Sequence, residues 1–210
     1  MAVMRLTVFL YLVLFGSCYG QEFRKMANPQ ACKSAILKHH QKVKSLEADF
    51  SEVVYSSMYA QPQKGKGVLK YKDPGKIRWE HVSPQKQAIL ISGKSLLMYE
   101  NGKKVTNPNA KVMAKKINQL MTQLFSGEFM SEKEFTIQYF EHATAYKLEL
   151  RPKSDRLKRY VTRIDVTFDK SNLAMKEMTM VEGPTDRIVY RFYDIKINPT
   201  ISESQFTQFK

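Results

Sequence analysis

Cysteine is almost missing from this chain of 210 residues: there are two, Cys18 and Cys32, and the first falls inside an N-terminal apolar segment. If Cys18 leaves with that segment, Cys32 has no intramolecular partner, so no disulfide framework exists, and helical spacing puts Cys32 on a face turned to the core. Long hydrophobic runs are missing too. After Gly20 no stretch stays apolar for the roughly 20 residues that a membrane-spanning helix needs. Acidic residues are scarce, with 20 Asp and Glu against 34 Lys and Arg, a formal net charge of +14. Enzymatic constellations are also lacking. Gly93-Lys94-Ser95 resembles the end of a phosphate-binding loop, but Ala88 stands where that motif needs its first glycine, so the segment reads as a hairpin turn. His39 and His40 are neighbours on a helix and point about 100° apart. With no Cys, Asp or Glu at ligand spacing they read as solvated helix surface. Cys32 lies two helical turns from His39, beyond hydrogen-bond reach, and Glu132, Glu134 and Glu141 form no pair with split roles. These absences speak against an enzyme; neither a metal nor a cofactor is expected.

What is present begins at the N-terminus. Arg5 precedes the stretch Leu6 to Phe15, apolar apart from Thr7, which is followed by Gly16-Ser17-Cys18-Tyr19-Gly20. That is the layout of a secretory signal peptide cleaved after Gly20. It leaves residues 21–210 as one exported domain. The same residues admit a second reading, with Cys18 lipidated as in a bacterial lipoprotein signal, although Phe15 stands where such a signal prefers Leu. Cleavage releases a soluble protein, and lipidation tethers it to a membrane. In an exported protein the basic charge points away from nucleic acid and toward anionic lipid, lipopolysaccharide or an acidic partner, against the plainer reading of a solvated surface.

The hydrophobic period changes along the chain. Asn28-Pro29 reads as a helix start, and Cys32, Ala35, Ile36, His39 and Val43 recur at helical spacing to about Lys44, giving an amphipathic N-terminal helix. From Leu46 the period is two, with Leu46, Ala48 and Phe50 alternating with Glu47, Asp49 and Ser51. Strands follow around Gly67 to Lys72, Ile77 to Glu80, Ala88 to Ile91 and Leu96 to Glu100, punctuated by Asp73-Pro74-Gly75, Ser92-Gly93-Lys94 and Asn101-Gly102. Between Lys111 and Phe125 the period is helical again, with Met113, Ile117, Leu120, Met121, Leu124 and Phe125 on one face. Five more strands are expected at Phe135 to Phe140, Ala145 to Arg151, Tyr160 to Phe168, Leu173 to Val181 and Arg187 to Ile195. About ten antiparallel strands interrupted by one helix predict an α+β fold, a strongly curved sheet or barrel with helices on its concave side. Eleven Met, 12 Phe and 11 Tyr hint at an adaptable apolar lining, although ordinary core packing uses the same residues.

The run Gly65-Lys66-Gly67-Val68-Leu69-Lys70-Tyr71-Lys72-Asp73-Pro74-Gly75-Lys76-Ile77-Arg78-Trp79-Glu80, then Pro84, Ile89-Leu90-Ile91-Ser92-Gly93-Lys94 and Leu97-Met98-Tyr99, resembles the LolA family of periplasmic lipoprotein carriers. Leu46 to Ser51 resembles that family's first strand, so the strong likeness covers about Leu46 to Asn101. The resemblance implies a half-open curved antiparallel β-barrel closed by a helical lid. It implies a periplasmic, non-enzymatic carrier that hides the acyl chains of lipoprotein cargo, receives them from an inner-membrane lipoprotein-releasing transporter and passes them to an outer-membrane acceptor. Trp79 matches the family's inward-facing aromatic, and the cavity expected from the matched run and from alternation comprises Leu46, Phe50, Leu69, Tyr71, Ile77, Trp79, Ile89, Ile91 and Tyr99. Period alone adds Tyr146, Leu148, Ile164, Val166, Phe168, Met178, Met180, Tyr190 and Phe192; the lid is Met113, Ile117, Leu120, Met121, Leu124 and Phe125. One departure stands out: where the family often has an arginine that locks the lid, this chain has Asp73. A monomer with no nucleic-acid partner is expected. Three alternatives remain: an outer-membrane-anchored acceptor lipidated at Cys18, a carrier of another acylated lipid, and a structural binding module whose basic face docks on anionic lipid or polysaccharide.

Overall fold

In a computed structural model that describes residues 22–93, 95–107 and 121–209, the period-two segments form one antiparallel sheet. Its strands are β1 (Arg24–Lys25), β2 (Ser45–Tyr55), β3 (Gln63–Lys72), β4 (Lys76–Ser83), β5 (Gln87–Ser92), β6 (Ser95–Glu100), β7 (Lys103–Lys104), β8 (Phe135–Glu141), β9 (Ala145–Pro152), β10 (Arg163–Asp169), β11 (Met175–Val181) and β12 (Arg187–Ile197). The order is β1-β8-β9-β10-β11-β12-β2-β3-β4-β5-β6-β7, so β1 and β7 form two unjoined edges and the sheet is not a closed barrel. Helix α1 (Gln30–Lys42) lies between β1 and β2 in the chain, and the described part of α2 covers residues 121–126. The fold is α+β, as expected.

Helix α1 starts one residue later than Asn28-Pro29 suggests, because the Asn28 side chain accepts a hydrogen bond from the Gln30 amide at 3.2 Å while Pro29 occupies the cap position. Strand β10 begins three residues later than expected. Ser154 caps a single helical turn, α3 (Asp155–Lys158), by accepting from the Leu157 amide, and this turn takes up chain that alternation would assign to the strand. Alternation is clearest in β10, where Ile164, Val166 and Phe168 are buried between half-buried polar neighbours. Cross-strand partners share a face. The register therefore carries the buried side forward from Val166 to Met178, Tyr190 and Glu52, and from Tyr71 to Ile77 and Ile91.

Curvature shows in the ring contacts. Strands β12 and β4 are three steps apart in the sheet, about 14 Å if it were flat. Yet the rings of Tyr190 and Trp79 lie 5.0 Å apart. The inner face is therefore concave. Strand β5 is buried on both sides, since Ala88 and Leu90 face outward beneath a C-terminal strap anchored by Ile201 and Phe206. Arg78, itself buried, donates to the carbonyls of Gln205 and Gln208 at 3.1 Å each and pairs with Glu80 at 2.6 Å, tying the strap to β4.

Candidate functional site

The concave face is lined by rings drawn from opposite sides of the sheet. Phe50 on β2 lies 4.7 Å from Trp79 on β4 and 5.7 Å from Tyr190 on β12. Phe192 faces Trp79 at 6.2 Å, and Phe125 at the end of α2 reaches down to Tyr71, Trp79 and Phe192 at 6.1–6.5 Å. Tilted and edge-on contacts at these separations are the favourable ones for aromatic quadrupoles. Gly67 makes the arrangement possible. It pairs with Phe50 across the strands, and a Cβ at this position would overlap both the Phe50 ring and the Glu80 carbonyl oxygen. The glycine lets a ring lie flat against the sheet.

Of the expected cavity residues, Phe50, Leu69, Tyr71, Ile77, Trp79, Ile91, Ile164, Val166, Phe168, Met178, Met180, Tyr190 and Phe192 belong to one buried cluster, with Leu46 and Ile89 packed against it. Leu148 is in the cluster and Tyr146 is packed on it. Tyr99 is a correction. It pairs with Ala88, whose face is the outer one, and stacks on Phe209 of the strap at 4.8 Å. Met98, the partner of Ile89, occupies the inner position instead. Of the expected lid residues, Met121, Leu124 and Phe125 are buried in the same cluster, while Met113, Ile117 and Leu120 lie outside the described residues.

Two polar features break into this apolar face. The first is His40 on α1, read from the sequence as solvated surface. It instead stands edge-on to Phe129 at 5.9 Å and to Phe168 at 6.0 Å, and its Nδ1 donates to the Phe125 carbonyl over a long 3.4 Å. Gly127 (φ 79°) sits against it, where a Cβ would come within 2.8 Å of the His40 Cβ. Burial pushes the imidazole down to about 4, a shift that the Phe125 carbonyl only partly offsets, and Nε2 is buried without a hydrogen-bond partner among the described residues. Lys33 adds a second tie from α1, pairing with Glu132 at 2.6 Å just beyond Phe129 and Met130. Segment 125–132 is thus held against α1 at two points.

The second feature is Glu52, which takes the inward place two residues after Phe50. Its carboxylate meets His81 Nε2 at 3.3 Å, and His81 is the inward residue two after Trp79. Burial raises the Glu52 carboxyl, but hydrogen bonds from His81 and Tyr190 together with the His81 charge bring it below its ordinary value. The period of two that exposes Phe50 and Trp79 to the interior also points to these two polar side chains. Asp73 pairs with Lys44 at 3.6 Å, and burial and this carboxylate push the Tyr71 phenol up to about 12. The turn containing Asp73 approaches α2, as the open position at Gly75 faces the Thr122 methyl.

Cys32 is buried on α1, its thiol pushed up to about 11 by burial. No three His, Cys, Asp or Glu among the described residues are placed to hold a metal ion. A surface cleft of about 330 Å³ beside α2 is lined by Gln123, Glu128, Phe129, Ser131, Lys133 and Glu134.

An unclosed antiparallel sheet with a ring-lined concave face, covered by an N-terminal helix and by residues 121–130, is the class of fold that the chain defines. Residues 41–209 match the family described as outer membrane lipoprotein carrier protein LolA, and the chain belongs to that family. An outer-membrane lipoprotein carrier protein of Pseudomonas paraeruginosa (strain DSM 24068 / PA7) is 28% identical over 177 residues, spanning 79% of this chain and 77% of the relative. A protein of the same description from Coxiella burnetii (strain CbuK_Q154) is 28% identical over 168 residues, spanning 80% and 77%. Among solved structures, an uncharacterized conserved protein from Thermus thermophilus superposes with a TM-score of 0.53 at 9% identity, over 87% of this chain and 95% of that one. That likeness is one of fold alone.

Proposed function

We propose that this protein is a periplasmic carrier that shields the acyl chains of lipoproteins on its concave aromatic face, between an inner-membrane releasing transporter and an outer-membrane acceptor. The observation that carries the reading is the ring cluster of Phe50, Trp79, Tyr190, Phe192 and Phe125, closed over by residues 121–130 in a chain of the LolA family. Each CH₂ withdrawn from water is worth about 0.8 kcal/mol, so an acyl chain crosses an aqueous space only when such a surface covers it. In this reading residues 1–20 are the signal, removed after Gly20, and the remainder is one carrier domain. The carrier works without covalent chemistry.

Trp79 is the only tryptophan in the chain, so it reports on the site directly. Titrating the processed protein with a triacylated lipopeptide is expected to shift Trp79 emission, and the protein is expected to extract acylated lipoprotein from washed membranes. A flat fluorescence titration together with failure to extract sinks the proposal. Mass spectrometry of lipid retained on purification distinguishes lipoprotein cargo from another acylated lipid. A Cys18→Ala protein that is processed and partitions as the parent does excludes the anchored acceptor.

A further inference from the structure

The register joins Arg163 to Val181, Val181 to Arg187 and Arg187 to Tyr55, one row across β10, β11, β12 and β2. The connections 153–162, 182–186 and 56–62 therefore leave from one rim of the sheet. Over residues 55–66, 153–163 and 182–187 this rim carries eight Lys and Arg against three Asp and Glu. Two of the three acids are engaged locally: Asp155 pairs with Lys158 at 2.9 Å, and Asp186 accepts the Ser57 amide at 2.7 Å. The second contact has a consequence for loop 56–62, whose base it fixes. Further bonds from the Met58 amide to Ser56 Oγ at 3.3 Å and from the Tyr59 amide to the Ser56 carbonyl at 3.1 Å shape the turn. The loop is thus held in a defined shape while its apolar side chains point to water. Met58 is 85% exposed and Tyr59 51%, and Met58 is the most exposed large apolar side chain among the described residues.

We propose that this rim docks on anionic phospholipid membrane, with Met58 and Tyr59 entering the boundary between headgroups and acyl chains and the basic side chains lying over lipid phosphates. Charge complementarity selects the occupant, because the rim's excess of cations meets the negative surface potential of such a membrane. The apolar pair protrudes instead of lining a closely fitted recess, which suits insertion between headgroups better than a protein-binding pocket on this surface. A small apolar insertion backed by cationic attraction is the two-signal arrangement for reversible membrane attachment, and tyrosine is suited to headgroup depth. This surface lies on the loops, outside the concave face, and goes beyond the carrier reading; it stands or falls with cargo-free protein.

The test is co-sedimentation of the processed, cargo-free protein with phosphatidylethanolamine vesicles, with and without phosphatidylglycerol, at low and high salt. Binding is expected only with phosphatidylglycerol and is weakened by salt. The double variant Arg156→Ser, Arg159→Ser is expected to bind about tenfold more weakly with a flatter salt dependence. The double variant Met58→Ser, Tyr59→Ser is expected to lose affinity while keeping the parent's salt dependence. Thermal melts check folding, and because the two pairs lie on separate connections, either variant alone decides if the other is unfolded. The proposal is overturned by equal binding to both vesicles, by binding to neither, as a purely protein partner would give, or by a Met58, Tyr59 variant that binds as the parent does.

Discussion

Acidification should loosen the contact between α1 and the segment that follows α2, through His40. The imidazole sits between the Phe129 and Phe168 rings with its Nδ1 proton given to the Phe125 carbonyl. Protonation adds a charge at Nε2, which is buried and has no acceptor among the described residues. Burial therefore holds the folded-state value near 4, against 6.5 in an open or unfolded chain. Between those values the unfolded state binds more protons, so stability is fully present above pH 6.5 and is lost as pH falls toward 4. At 1.36 kcal/mol per unit, the loss from this one group reaches about 2 kcal/mol at pH 5 and roughly 3 kcal/mol at its limit. Other groups titrate in the same range, so the assay is a difference: urea unfolding of the parent and of His40→Leu, each at pH 7.5 and pH 5. Near pH 7.5 the two should be close, because leucine gives up one long hydrogen bond but also removes the buried Nε2 that has no partner. At pH 5 the variant should be the more stable by about 2 kcal/mol. Parallel pH profiles for the two proteins, or a measured His40 value near 6.5, would refute the reasoning.

Two further substitutions test the site and its support. Gly67→Ala should destabilise the fold by about 1–3 kcal/mol in urea unfolding and alter Trp79 emission, because the added methyl must displace the Phe50 ring that packs on Trp79. A change below about 0.5 kcal/mol would show that the ring has room to move. Arg78→Met should cost about 3 kcal/mol, since it leaves the Glu80 carboxylate and the Gln205 and Gln208 carbonyls without their buried donor. The same change should free the strap, so that limited proteolysis cuts within residues 199–209; a strap that stays protected would count against the role given to Arg78.

Strands were legible wherever polar and apolar residues alternate, because a period of two leaves no choice of face once one side is buried. That is why Ile164, Val166 and Phe168 are placed inward both by sequence and by structure. Tyr99 is misassigned for the opposite reason. Leu96-Leu97-Met98-Tyr99 is apolar throughout, so parity carries no signal, and only pairing with β5 decides that Met98 faces in. Strand β1 has two charged residues and no period of its own; it exists because β8 offers an edge. The strap is equally silent in the sequence, since Ile201, Phe206 and Phe209 are far apart in period and are defined by the outer face of β4–β6 that they cover. His40 escaped because a helical stripe can include either of two adjacent histidines, and the choice falls to whichever ring meets Phe129 and Phe168.

The filled state of the concave face bears on how a carrier of this form would release its cargo. Rings from β2, β4, β12 and α2 already contact one another, so an acyl chain lying on this face exchanges ring–ring contacts for ring–chain contacts. The gain is the chain's removal from water, about 0.8 kcal/mol per CH₂. Against it stand the ring pairs given up, each worth roughly 0.5–1.5 kcal/mol beyond burial, and the ties of His40 and Lys33 to segment 125–132. Breaking several pairs at once offsets part of the burial of one chain. Binding is then weaker than the covered area alone suggests. A rigid, preformed apolar pocket would instead retain nearly all of the burial energy as affinity and hold its cargo. A collapsed aromatic interior therefore favours transfer over storage, and Gly67, by letting Phe50 lie flat beneath Trp79, is the residue on which that collapse depends.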